Sequence, residues 1–239
     1  MSPAELNIKI YADGANREDI LRLAQNPLVT GFTTNPTLMR QAGVTDYEAF
    51  ARALLAELPD KPISFEVFAD DLPTMAKQAR AIAAWGGNVN VKIPVTNTKG
   101  ESTADIVAEL SAAGVVVNVT ALFTVEQVNT VVAALAIDTP AILSVFAGRL
   151  ADSGHDPEPM LRECNAAMAS KPKADLLWAS TREPFNVIQA ARSGCDIITA
   201  PAGIIDKLAL FGKDPVAYSL DTVKAFDKDA TAAGFSIAV

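Results

Sequence analysis

The sequence predicts an α/β chain folded as a single-domain (β/α)8 TIM barrel over residues 1–239. Three observations lead there. Eight short β-rich runs recur along the chain, separated by alanine-rich amphipathic stretches, and that alternation is the pattern of a closed parallel barrel. The length of 239 residues is typical of one such barrel. Residues with useful chemistry also gather at the C-terminal ends of the runs, the rim on which barrels build their sites. A doubly wound open sheet is the alternative. It usually carries a Gly-rich phosphate turn after its first strand, and Asp13-Gly14-Ala15-Asn16 has none.

Taken in order, the first strand is expected at 8–12, followed by a helix over 17–25. The second strand, 29–33, is followed by a helix over 46–58 that Asp46 can cap. The third strand is 63–67, and Asp71 stands at the N-cap position of the helix 72–84. In the fourth, Val89-Asn90-Val91-Lys92-Ile93-Pro94, a β-branched run reads as a buried strand, and Pro94 ends it by removing a ladder donor. A helix over 103–113 and a strand at 115–119 come next. Thr124, with Gln127 three residues on, forms a capping-box pattern opening the helix 125–135. Strands at 141–146, 176–179 and 197–199 then alternate with helices over 157–169, 184–193 and 202–210, and residues 214–239 read as a last helix with a tail. Gly86, Gly114 and Gly194 each follow a helix and precede a strand, where a left-handed glycine belongs.

Composition excludes several function classes. A hydrophobic content of 50% supports a core and rules out global disorder. A net charge of −8 argues against nucleic acid or an anionic membrane as partner, so any phosphate pocket has to be built locally from arginines. No run of about 18 apolar residues is present, so no membrane span is expected. Residues 1–7 lack a basic region and an apolar run and are not expected to be a signal peptide. The two cysteines, Cys164 and Cys195, have no metal-ligand spacing. Cys195 reads as a small core residue, and a reducing cytoplasm is the expected compartment. The single histidine, His155, reads as a loop residue and cannot form a metal cluster alone.

Lys92 is the most informative residue. Lysine is almost never buried without a partner or a task. Desolvation disfavours the ammonium and favours the free amine that attacks carbonyls, which makes Lys92 a Schiff-base candidate. The competing reading is a lysine that faces the helix layer and snorkels to solvent. The other strand ends favour the first. They supply Asp13, Thr33-Thr34-Asn35, Glu66, Asn118 with Thr120, Ser144, and Ser180 with Arg182. A lysine amine needs carboxylates to move protons and donors for substrate hydroxyls, and this set has both. It contains no metal cluster and no Ser/His/Asp arrangement.

Ala12-Asp13-Gly14-Ala15, Thr33-Thr34-Asn35-Pro36-Thr37, Glu66, Val91-Lys92-Ile93-Pro94, Asn118-Val119-Thr120 and Ser144-Val145-Phe146-Ala147-Gly148-Arg149 resemble, in order and spacing, the transaldolase family. The likeness runs from about residue 8 to 208 and extends to the short members that include fructose-6-phosphate aldolases. It implies a metal-independent enzyme with no organic cofactor, sugar phosphates as its small-molecule partners, and a homo-oligomeric assembly. Lys92 would attack the ketose C2 carbonyl, Asp13 would move the C4 hydroxyl proton, and Glu66 and Thr120 would hold a proton-shuttling water. Thr34, Asn35, Asn118 and Ser144 would meet the dihydroxyacetone unit, beside Phe146. Arg149, Arg182 and Ser180 would clamp the anionic end by charge-assisted pairing. Without the resemblance, each arginine reads equally well as a surface ion pair.

Family members that cleave and release dihydroxyacetone tend to carry glutamine and tyrosine where this chain has Glu66 and Phe146. The resemblance therefore implies transfer of a three-carbon ketol unit, with an aldolase that releases free dihydroxyacetone as the alternative. A silent sugar-phosphate-binding barrel is the non-enzyme reading. Trp178, Thr181 and the polar loop 96–102 depart from the family pattern. They are expected around the anion end of the pocket, where the head group could be a sulfonate rather than a phosphate.

Overall fold

The computed structural model describes residues 5–237; residues 1–4 and 238–239, the two ends of the expected domain, lie outside the described residues. Eight parallel strands, β1 (Lys9–Asp13), β2 (Val29–Thr33), β3 (Ile63–Glu66), β4 (Val89–Pro94), β5 (Val117–Leu122), β6 (Ala141–Val145), β7 (Ala174–Trp178) and β8 (Ile197–Pro201), pair in chain order, and β8 closes onto β1. Around them lie α1 (Arg17–Ala24), α2 (Pro36–Gln41), α3 (Tyr47–Glu57), α4 (Leu72–Ala83), α5 (Ala104–Ala112), α6 (Val125–Ala134), α7 (Ala147–Asp152), α8 (Pro157–Ala167), α9 (Asn186–Arg192), α10 (Ala202–Lys207) and α11 (Pro215–Ala233).

The period of two along each strand divides its residues between two layers. Ile10, Phe65, Val91, Val119 and Leu143 belong to the core between barrel and helices, each worth about 1.5–3 kcal/mol when fully buried. Tyr11, Ile142, Leu177 and Ile197 form a separate cluster, two residues before Asp13, Ser144, Ala179 and Thr199 and hence on the same side of their strands. Gly31 makes room for it, because a Cβ there would sit 2.6 Å from the Tyr11 ring. Tyr11 and its neighbours thus plug the barrel beneath the polar rim.

The expected caps are in place. Asp46 and Asp71 accept the N–H groups of Ala49 and Thr74, and Thr124 and Gln127 form a capping box. Gly114 and Gly194 adopt φ of 80° and 81°. Gly86 does not adopt a left-handed conformation: α4 ends on the right-handed Ala84, and the chain continues through Trp85, whose ring packs edge-on against Tyr47 and Phe65.

Two short helices, α2 and α7, add to the elements expected from sequence. Both α2 and α7 spring directly from strand ends, and each is only six residues long. Strand β5 also runs three residues beyond its expected end, through a bulge between Val119 and Leu122, with Ala121 at φ 60°. The C-terminal helix was expected, but none of its nineteen residues is buried.

Helix α7 is locked onto the turn after β7. A Cβ at Gly148 would lie 1.6 Å from the Ser180 carbonyl oxygen, a backbone atom that cannot yield as a flexible side chain would. Gly148→Ala is therefore expected to cost about 1–3 kcal/mol or more and to lower Tm by several degrees. Gly203→Ala, which meets nothing within 4 Å, should leave Tm nearly unchanged. Thermal unfolding of the two variants checks this, and equal small effects would contradict it.

Candidate active site

At the C-terminal ends of the strands opens a cavity of about 500 Å3. Parity and register place Lys92 in it. Lys92 is level with Glu66 on β3 and Asn118 on β5, and only 6% of its surface is exposed. Its Nζ lies 3.1 Å from Glu66 Oε2 and donates to the Thr34 carbonyl at 2.9 Å. One carboxylate and one carbonyl thus replace the water that burial removes, as a buried amine requires. The backbone bearing Glu66 is tied in turn. Its N–H donates to the Tyr47 hydroxyl at 2.8 Å, and that hydroxyl donates to the Glu66 carbonyl at 3.1 Å.

Across the cavity, Thr33 Oγ1 donates to Asp13 Oδ1 at 2.8 Å. The same hydroxyl lies 2.6 Å from Thr199 Oγ1, so Thr199 completes a three-member chain by donating to Thr33. Burial pushes the Asp13 carboxyl above the ordinary carboxylate range. Lys92 and the Thr33 hydrogen bond pull the other way, and Glu66 adds to the rise. A carboxyl positioned beside a substrate hydroxyl can take a proton and return it.

The floor is a polar ladder. Ser144 Oγ donates to Asn118 Oδ1 at 2.7 Å, and Asn118 Nδ2 donates to Ser64 Oγ at 3.0 Å. Thr120 Oγ1 is buried and has no partner among the described residues. An orphaned buried hydroxyl costs about 1–3 kcal/mol, and this one belongs to a residue lining the cavity, where water or substrate can satisfy it.

At the mouth, the Arg149 guanidinium lies over the Phe146 ring, 5.0 Å from its centroid. Arg182 is exposed and grips Asp152 side-on: its Nε donates to both carboxylate oxygens at 3.1 Å, and Nη2 pairs with Oδ2. The Arg182 guanidinium holds the Asp152 carboxyl below the ordinary range, with Arg149 adding to the effect. Ser180 and Ala121, both lining the cavity, carry the two positive φ values among non-glycine described residues, 65° and 60°. Such strain persists where surrounding structure enforces it.

Of the residues expected from sequence, Asp13, Asn35, Glu66, Lys92, Thr120, Ser144, Phe146, Arg149, Ser180 and Arg182 line this one cavity. Two do not. The Thr34 hydroxyl donates to the Ser64 carbonyl at 2.8 Å, so its backbone rather than its side chain serves the site. Asn118 is fully buried and acts from beneath, through Ser144. Asn35 has a divided role, since its Oδ1 caps α2 through Leu38 N–H and its amide NH2 is left for the cavity.

The family departures also fall differently from expectation. Trp178 faces the helix-layer core, because it stands one residue out of phase with Leu177. The loop 96–102 does not line the cavity; Thr98 ties it to Asp70. Thr181 does line it, but its hydroxyl donates to the Thr199 carbonyl at 2.7 Å. Sequence reading missed Thr199, Tyr47 and Asp152. Thr199 is the last residue of the strand expected at 197–199, and that position is its signal; in the structure it stands mid-strand in β8. Tyr47 and Asp152 carried none, since each belongs to the site only through a long-range partner.

Among the described residues, no group of three His, Cys, Asp or Glu side chains is placed to share a metal ion. No helix is long and apolar enough to cross a membrane among them.

The comparisons with known proteins agree with one another. A family model described as transaldolase/fructose-6-phosphate aldolase matches residues 10–237. A protein named probable transaldolase from Dehalococcoides mccartyi is 37% identical, covering 83% of this chain and 88% of its own. One of the same name from Lactiplantibacillus plantarum is 37% identical over 84% and 88%, and one from Methanococcus maripaludis is 36% identical over 84% and 89%. A solved structure called "Native KDPGal structure" superposes with a TM-score of 0.57 at 13% identity, over 83% of this chain and 84% of that one; that likeness speaks for the fold alone. With a family model spanning nearly the whole chain and relatives above one-third identity, this chain belongs to the transaldolase/fructose-6-phosphate aldolase family.

Proposed function

We propose that the protein is a class I, Schiff-base transaldolase that moves a dihydroxyacetone unit from a ketose phosphate to an aldose acceptor. The observation that carries this reading is the buried Lys92 amine, held between Glu66 and the Thr34 carbonyl and sharing a cavity with Asp13. Glu66 is the base within reach of Nζ, so it can take the proton that leaves the amine free to attack C2. Loss of water gives the imine. Asp13 then removes the C4 hydroxyl proton as the C3–C4 bond breaks, and the aldose leaves. The electron pair stays on the three-carbon unit as an enamine on Lys92, which adds to the incoming aldehyde. Reversal of the first steps releases the product. The unpartnered Thr120 hydroxyl suits the water consumed and returned at the imine.

Phe146 decides transfer against release. Its ring packs on Phe123 at 5.8 Å and carries Arg149, so it presents no hydroxyl to protonate the enamine. The reaction is placed in a reducing cytoplasm. Cys164 and Cys195 support this, being free and buried. A homo-oligomer is part of the proposal. Its support is α11, whose Val216 and Phe226 are 77% and 69% exposed.

Fructose 6-phosphate followed by borohydride should add one reduced three- or six-carbon unit to the intact chain by mass spectrometry, and an aldehyde acceptor added first should discharge the three-carbon form. No adduct leaves the silent-barrel reading. Wild type that releases dihydroxyacetone as fast as it transfers it is instead an aldolase. Phe146→Tyr adds a hydroxyl at nearly constant volume, so release should rise by up to about 10²-fold while transfer falls.

Asp13 also makes a stability prediction. Its proton affinity is raised on folding, so the native state holds that proton where the unfolded chain has released it. Stability therefore falls as pH rises from the ordinary carboxylate range through the raised value, and the whole cost is present above it. Asp13→Asn should raise Tm at neutral pH while abolishing turnover, with the gain shrinking toward pH 4. A wild type more stable than the variant at neutral pH would contradict the assignment.

A further inference from the structure

Arg182 is fixed at both ends. At the backbone, Asn186 Oδ1 accepts the N–H groups of Arg182 and Glu183 at 2.9 and 3.1 Å. Asn186 is in turn braced through Gln189 to the buried Glu158, which Arg192 neutralises. At the tip, Asp152 takes Nε and Nη2. A guanidinium has five N–H donors in a rigid fork, so the side-on grip occupies one edge and leaves the Nη1–Nη2 edge open. Nη1 has no protein partner among the described residues. Asp152 is also the last residue of α7, the helix that carries Arg149 and that Gly148 clamps onto the Ser180 carbonyl.

We propose that Asp152 is a positioning residue for anion recognition: it holds the Arg182 fork so that its end-on edge faces the charged terminus of the substrate, opposite the ring-stacked Arg149. The inference rests on the reading of Arg182 as a substrate contact. An unrestrained arginine has rotamer entropy to lose on binding, and Asp152 removes part of that loss beforehand, as preorganisation does.

The sign of the effect separates this role from bulk electrostatics. Asp152→Asn removes a negative charge from the mouth, which by charge alone would tighten anion binding. Positioning gives the opposite result. The measurement is KM for fructose 6-phosphate and for unphosphorylated fructose as donors, in the wild type, Asp152→Asn, Asp152→Glu, Arg182→Ala and the Asp152→Asn/Arg182→Ala double variant.

The expected result is a roughly five- to twentyfold rise in the ratio of the two KM values for Asp152→Asn, carried by KM for the phosphorylated donor rather than by kcat. Asp152→Glu should recover part of it. On the Arg182→Ala background, Asp152→Asn should add nothing, since the two residues act as one unit. A fall in KM for fructose 6-phosphate would show that Asp152 competes with substrate and would overturn the proposal. So would an undiminished loss on the Arg182→Ala background. If Arg182→Ala itself leaves the ratio unchanged, the underlying reading of Arg182 fails, a result distinct from failure of Asp152 alone.

Discussion

A primary amine with almost no access to solvent has to be compensated from within the protein, and the rim of this barrel is organised around that requirement. Lys92 on β4 takes the Glu66 carboxylate on β3 and the Thr34 carbonyl just past β2. Three strands are thereby set in one register at their C-terminal ends. Removing one partner of such a buried pair is more costly than the pair's net contribution to stability, because the remaining charge is stranded. Tyr47 then secures Glu66 from the helix layer, and Asp13, itself held by Thr33, closes the opposite side. The carboxylate that makes the amine tolerable shares one cavity with a second carboxyl and an orphaned hydroxyl.

Strand parity carries this arrangement outward. Residues two apart share a face, so Tyr11 beneath Asp13 and Ile142 beneath Ser144 repeat one design: apolar plug below, polar group above. The plug fills the barrel axis with buried side chains, and the polar layer faces the cavity. At the mouth the logic changes from burial to charge pairing. Arg182 and Asp152 are both about half exposed, and an exposed pair contributes little to stability. Its value lies in orientation.

Much of this was legible in the chain. The eight strands stand out because β-branched runs and turn residues alternate at regular spacing, and the polar strand ends give most of the cavity lining once a barrel is assumed. What escaped did so for physical reasons. Helices α2 and α7 are shorter than two turns, too short for periodicity to register, although Asn35 followed by Pro36 is an N-cap and first-turn signal. The motif around Trp178 points to the pocket, whereas its parity directs it to the helices. Gly86 looked like a left-handed cap, yet the chain there leaves its helix in a right-handed turn through Trp85. Asp152 and Tyr47 act through partners 30 and 19 residues away in sequence, contacts that no local pattern encodes.

The central claim is that Lys92 alone is the amine that this architecture prepares for attack on a carbonyl. Treating the protein with dihydroxyacetone, reducing with borohydride and mapping the adduct by peptide mass tests it most directly. The account predicts one modified peptide, the one containing Lys92, and no adduct in Lys92→Ala. A reduced adduct at another lysine, or trapping that persists in that variant, would contradict it.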